Sequence, residues 1–201
     1  MGCPLGRADF PVNPLEIIHR HYDPATDLYR TLVIHSILVA KKARELALAC
    51  IQRSPSTVID LEFLTEAALL HDIGIKHCHA PEIFCEGSDP YILHGVHGKK
   101  MLDDEGLPRH ALVCERHTGA GITKEEVKGG GLPLPERDYL PVSLEEKLIC
   151  VADKFYSKSP RKLWEEKSLA KIEKSLARYG PQVLERWRKL KAETGLATRF
   201  A

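Results

Sequence analysis

The chain has 201 residues, 43% of them hydrophobic, which suits one domain with an appendage at most and suffices to bury a core without disulfides. Its net charge of +1 conceals a polarity: residues 1–153 carry 16 Lys+Arg against 23 Asp+Glu, whereas residues 154–201 carry 13 against 5. The basic end reads as polyanion-seeking or as a solvated helical face drawn to the acidic body; without aromatic interleaving or a reading motif, direct nucleic-acid binding is disfavoured.

In chain order, Met1-Gly2-Cys3-Pro4-Leu5-Gly6-Arg7 lacks the apolar stretch of a signal peptide, and Gly6 stands where a myristoylation motif needs Ser or Thr. No apolar run approaches the ~20 residues that span a bilayer, so the expected location is the cytoplasm. The six cysteines form no CxxC pair and read as reduced, mostly buried thiols. From Asp27 to about Gln52 the spacing of Leu28, Leu32, Ile34, Ile37, Leu38, Leu46 and Leu48 predicts one long helix with His35 inside it. Asp60 is a plausible N-cap for a second helix, whose apolar face runs through Leu64, Ala67, Ala68 and Leu70 to His71-Asp72, with Gly74 as its C-terminal breaker. Residues 77–92 read as a loop over the site, helices are expected at 91–105 and 108–117, and a second irregular stretch covers 129–141. Ser143 with its capping-box acid opens a helix that delivers Asp153. Ser159-Pro160 begins another, and Gly180-Pro181 divides the tail. The domain reading is 1–158 with an N-terminal helix, followed by a basic helical appendage over 159–201.

His35, His71, Asp72, His94, His117 and Asp153 supply four imidazoles and two carboxylates, donors that suit a hard or borderline divalent ion. Six ligands exceed one tetrahedral site and suit two ions sharing Asp72, with a water or hydroxide between them. Such a pair favours in-line phosphoryl displacement. The cluster His77-Cys78-His79 with Cys85 lacks the ligand spacings of a zinc site and reads instead as lid residues.

The order His…His-Asp…His…His…Asp resembles the HD-domain superfamily of metal-dependent phosphohydrolases, with His71-Asp72 as its namesake pair. Leu93-His94-Gly95, Arg116-His117-Thr118-Gly119 and Ala152-Asp153-Lys154 resemble the bacterial HD-type diadenosine tetraphosphate hydrolases, and residues 114–121 and 132–138 an uncharacterised phosphohydrolase branch. The likeness covers residues 28–158. It implies an all-α helical bundle with the metal site between helices, a basic metal site of His35, His71, Asp72 and Asp153, and a second completed by His94 and His117. A His followed by Gly four residues on, His94 to Gly98, favours His94 over His97 as the ligand. Iron is the first expected metal, with manganese, nickel, zinc or magnesium as alternatives. Lys76 is the candidate phosphate contact and catalytic cation, displaced from the family position by Ile75; Arg116, Lys158, Arg161 and Lys162 are further candidates for binding substrate phosphate.

The expected activity is hydrolysis of a phosphoester or phosphoanhydride bond in a small nucleotide or dinucleoside polyphosphate by metal-activated hydroxide. The alternatives are an HD-type di-iron oxygenase and a non-catalytic nucleotide-binding module. The absence of Gly-Tyr-Pro after His117 argues against a cyclic-dinucleotide phosphodiesterase of the HD-GYP type. The expected partner is a small phosphorylated substrate, with no membrane; the sequence leaves homo-oligomerisation open.

Overall fold

The computed structural model describes residues 12–196; Cys3 and the Met1–Arg7 segment lie outside the described residues. Helix α1 (Pro14–His21) starts where the Asn13 side chain accepts from the Glu16 amide and Pro14 occupies the first turn. Helix α2 (Asp27–Arg53) is capped by Thr26. Its buried residues Leu32, His35, Ser36, Val39, Ala43, Leu46 and Cys50 recur at three- and four-residue steps, so His35 lies on the same inward stripe as the core. Helix α3 (Leu61–Leu70) begins at Asp60, whose carboxylate accepts from Phe63 N at 3.0 Å.

The expected breaker role of Gly74 is not what the structure shows. Helix α3 already ends at Leu70, and Gly74 has an ordinary φ of −84°. The glycine is needed for space: a Cβ there would meet His94 O at 2.1 Å and Gly98 N at 2.3 Å. The His71–Gly74 turn can therefore lie directly against α4 (His94–Asp104). Helix α5 (Pro108–Arg116) packs on α4 with similar closeness, since a Cβ on Gly95 would stand 2.5 Å from Cys114 O.

Within residues 77–92, read as irregular loop, β1 (His79–Ala80) pairs antiparallel with β2 (Cys85–Glu86). Helix α6 (Lys124–Gly129) carries a capping box between Thr123 and Glu126 that the reading above did not use. Helix α7 (Leu144–Asp153) begins at its Ser143 cap and ends on Asp153. Pro160–Lys162 is one turn of 3-10 helix; α8 (Leu169–Leu176) starts later, at Ser168, and α9 (Pro181–Glu193) follows Gly180.

One apolar cluster joins α2, α3 and α7 to α8 and α9 through Leu46, Leu64, Leu148, Ile149, Ile172 and Trp187. A second joins α1, α4 and α5 to the end of α3 through Ile18, Leu70, Ile73, Ile75, Leu102 and Ala111. The fold is all-α apart from the short hairpin. Among the described residues no helix is long and apolar enough to cross a membrane. Cys50, Cys78, Cys85, Cys114 and Cys150 are free and buried; burial pushes the Cys78 thiol up to about 11 and Cys85 up to about 12, so these are poor thiolate ligands.

Candidate metal centre

His35 comes from the middle of α2, His71 and Asp72 from the turn after α3, His94 from the first turn of α4, His117 from the end of α5, and Asp153 from the last residue of α7. Five elements thus converge on six buried side chains. Donor atoms of His35, His71, Asp72 and Asp153 all lie within 4.8 Å of one another, and so do those of Asp72, His94 and His117. Asp72 belongs to both groups.

The two carboxylate oxygens of Asp72 divide the work. Oδ2 lies 3.3 Å from His35 Nε2 and 3.0 Å from His71 Nε2. Oδ1 lies 3.6 Å from His94 Nε2 and 3.4 Å from His117 Nε2. Asp153 Oδ1 completes the first group, 3.0 Å from His35 Nε2 and 3.5 Å from His71 Nε2. Ligands about 2.1 Å from a common ion are separated by roughly 3.0–3.4 Å at octahedral to tetrahedral angles, close to these spacings.

Three imidazoles are aimed by backbone carbonyls. His71 Nδ1 donates to Ala68 O at 2.7 Å, His94 Nδ1 to Tyr91 O at 2.7 Å and His117 Nδ1 to Cys114 O at 2.8 Å. Each bond puts the proton on Nδ1 and turns the Nε2 lone pair inward, as metal-ligating histidines require. In consequence His94 Nε2 and His117 Nε2 face each other at 3.1 Å, and two neutral lone pairs repel unless a cation lies between them. His71 Nε2 and Asp72 Oδ1 are buried without a well-formed hydrogen bond. Leaving such groups unsatisfied is costly, so the donor set fits divalent metal.

The electrostatics follow from burial and proximity. Burial pushes His94 down to about 3, with the His117 ring adding to the effect, and burial likewise lowers His117. Burial opposes charge on His71 too, but the Asp72 and Asp153 carboxylates outweigh it and raise His71 to about 9. Burial alone would raise Asp72; His71 and Lys158 instead hold it well below the usual carboxylate range. Asp153 is held low in the same way by Lys154 and Lys158.

The candidate phosphate contacts separate. Lys158 Nζ stands 2.5 Å from Asp72 Oδ2 and 3.9 Å from Asp153 Oδ1, at the cluster itself. Lys76 is elsewhere, which corrects its expected position: its Nζ donates to His21 O at 2.7 Å and sits 5.5 Å from the centre of the Tyr22 ring. The 3-10 turn Ile75–His77 buries Ile75 and sends residue 76 toward α1. Arg116 is bound to Glu146 at 3.2 Å. Arg161 is exposed, and Lys162 rather than Arg161 faces the cavity beside the cluster.

That cavity, about 730 Å³, is reached past Asp153 and Lys158. Lys154, Lys158, Lys162, Lys167, Lys171 and Arg178 line it against three acids, and Glu82, Ile83 and Tyr91 from the 77–92 segment form part of its wall. Sequence reasoning missed Lys154, Lys167 and Lys171 here, since only the fold brings residues 154–178 to one mouth. It also missed Tyr22, whose hydroxyl donates to Ile73 O at 2.6 Å and accepts from Lys76 N at 3.2 Å, tying α1 to the His-Asp turn.

Comparison with known proteins shows the family. An uncharacterized protein of Methanocaldococcus jannaschii is 37% identical over 153 residues, 76% of this chain and 81% of that one. A tRNA (cytidine(56)-2'-O)-methyltransferase of Picrophilus torridus is 38% identical over 98 residues, 49% of this chain and 25% of its own length. That of Thermoplasma volcanium is 34% identical over 122 residues, 60% of this chain and 31% of its own. The matches thus span a quarter to a third of these two methyltransferases. No solved structure matches significantly. The HD domain family matches residues 32–157, a stretch that contains all six converging side chains, and the chain belongs to that family.

Proposed function

We propose that this HD domain hydrolyses a phosphoester or phosphoanhydride bond in a small nucleotide or dinucleoside polyphosphate. The observation that carries the reading is the junction of the Asp72-centred cluster with a cavity lined by five lysines and Arg178. A phosphorylated substrate entering that cavity meets cations along its length and the His/Asp cluster at its end.

His35, His71, Asp72 and Asp153 hold one ion in this reading, and Asp72, His94 and His117 a second, with iron first among the candidates. Bound ions would supply Lewis acidity and a water of lowered pKa. The chain's own groups do the rest. Lys158 neutralises charge on a non-bridging phosphate oxygen as it develops, and Lys154 orients Asp153, its Nζ being 2.5 Å from Asp153 Oδ2. The Nδ1–carbonyl bonds keep three imidazoles from rotating as charge moves. Cations gathered around one cavity favour a small phosphorylated partner over a nucleic-acid chain, and methyl transfer, named for two relatives, is not carried over.

A second reading rests on Asp72, His94 and His117, a two-histidine, one-carboxylate group of the kind that non-haem iron oxygenases use. Metal analysis of protein purified without chelator, followed by a screen of that preparation against nucleotides and dinucleoside polyphosphates, tests the first reading. Phosphate release supports it. Oxygen uptake without phosphate release favours the second.

A further inference from the structure

A second cavity, about 560 Å³, lies between residues 118–122, the Gly129–Gly130 end of α6, and the α8–α9 pair. Its character is the opposite of the first. Glu126 and Arg186 are its only charged lining residues, and they neutralise each other at 2.7 Å. Ile92, Ile122, Leu132, Leu176 and Val183 give it apolar walls. Four glycines also line it, and a Cβ on Gly119 or Gly129 would meet nothing within 4 Å. Backbone bared in this way admits a flat group face-on.

One contact ties this space to the metal centre. Thr118 lines it, with its hydroxyl 3.5 Å from His94 Nε2. The two cavities adjoin: Leu176 lines both, and the chain neighbours Tyr91 and Ile92 line the first and the second respectively. The cationic cavity therefore abuts the Asp153 side of the cluster and the apolar one abuts the His94 side. Thr118, Tyr179 and Gln182 are its uncharged polar side chains, and an amide such as that of Gln182 can donate to a ring nitrogen and accept from a ring amine.

We propose that the apolar cavity receives the nucleobase of the substrate while the lysine-lined cavity receives its phosphates, so that the scissile bond crosses the Asp72 cluster. This rests on the phosphohydrolase reading and adds the residues that select the organic part. Apolar walls with few convergent polar groups are the usual make-up of such a pocket.

The test is calorimetric binding of three phosphorothioates to the metal-loaded full chain: adenosine 5′-phosphorothioate, ribose 5-phosphorothioate and hexyl phosphorothioate. All carry the same anion, and turnover is slowed in each. The adenosine compound should bind at least about tenfold more tightly than the ribose compound. Gly129→Leu, which fills open space, and Ile122→Phe, which narrows the wall, should each erase that difference and leave ribose 5-phosphorothioate unchanged, with thermal unfolding confirming that both variants fold. Equal affinities, a preference that survives both variants, or tighter binding of the hexyl compound would overturn the inference. Phosphoester turnover without ring preference would sink this inference alone, whereas no binding of any compound together with no turnover would sink the phosphohydrolase reading beneath it.

Discussion

Lys158→Met removes the cation that the structure places against Asp72. The side chain is only 13% exposed and its Nζ is 2.5 Å from Asp72 Oδ2, so bulk water screens it little. Two unit charges about 4 Å apart at an effective dielectric of about 20 interact by roughly 4 kcal/mol. Removal of one preorganised donor from a transition state costs about 2.7–4 kcal/mol, a factor of about 10²–10³ in kcat. Methionine keeps much of the stem volume and removes the charge. The expected result is a kcat lowered by about 10²–10³, KM within a few-fold, and metal content unchanged or higher, because the ammonium competes with metal for Asp72. Steady-state kinetics on the best substrate from the nucleotide screen and elemental analysis of the same sample measure both. A kcat within about twofold of the parent with metal intact would refute the reasoning: Lys158 would then be a counter-ion to Asp72 with no hold on the phosphate.

Other perturbations probe the remaining parts. Asp72→Ala takes a donor from both ligand groups and should abolish turnover and strip most metal; near-normal activity in a folded variant would remove the proposed centre. His117→Ala should lower metal content from about two per chain toward one, and an unchanged single metal in both proteins would leave only the four-residue site. Gly74→Ala forces a Cβ against the His94 carbonyl and should cost about 1–3 kcal/mol in denaturant unfolding, with a neutral result showing that the turn and α4 can move apart freely. The metal-free chain should be most stable near pH 6.5. His71, raised from 6.5 to about 9, stabilises fully below 6.5 and loses that contribution, on the order of 3 kcal/mol, as pH rises through 9. His94, lowered to about 3, is destabilising as pH falls from 6.5 toward 3, because the unfolded ring takes up a proton that the buried one refuses. A melting temperature that stays flat from pH 6.5 to 9 in chelator-treated protein would contradict the His71 part.

The convergence of the His and Asp residues was legible because each sits where helical periodicity already predicts an inward face or a helix end. His35 shares the stripe of Leu32, Val39 and Leu46, and Asp153 closes a helix whose Ser143 cap is visible in the sequence. The choice of lysine was not legible, because it turns on a single residue. Burial of Ile75 rotates Lys76 toward His21 and Tyr22, whereas Lys158 returns to Asp72 from 86 positions away. Gly74 was misread for a related reason: a glycine after a helix has the same sequence signature whether it supplies a left-handed cap or bare space, and only α4 beside it distinguishes the two. The hairpin at residues 79–86 has two residues per strand, too few to show an alternating pattern. Helix α6 is different, since Thr123-Lys124-Glu125-Glu126 is a readable capping box.

The charge polarity of the chain finds its account in the same geometry. Six of the thirteen cations in residues 154–201 line the cavity beside the His/Asp cluster. Others are neutralised locally, Arg186 by Glu126 and Lys191 by Glu173. The cavity cations are held in place, because Ile172, Leu176, Val183 and Trp187 of α8 and α9 belong to the same apolar cluster as α2, α3 and α7. A flexible basic tail would attract any polyanion, with its grip screened by salt. A basic wall fixed around one cavity instead focuses potential onto what fits inside, and that wall meets the His/Asp cluster at Asp153 and Lys158. In the proposed function the acidic body and the basic end are two halves of one device, the body supplying most of the side chains that would hold metal and the end supplying the lysines that would meet an anionic substrate.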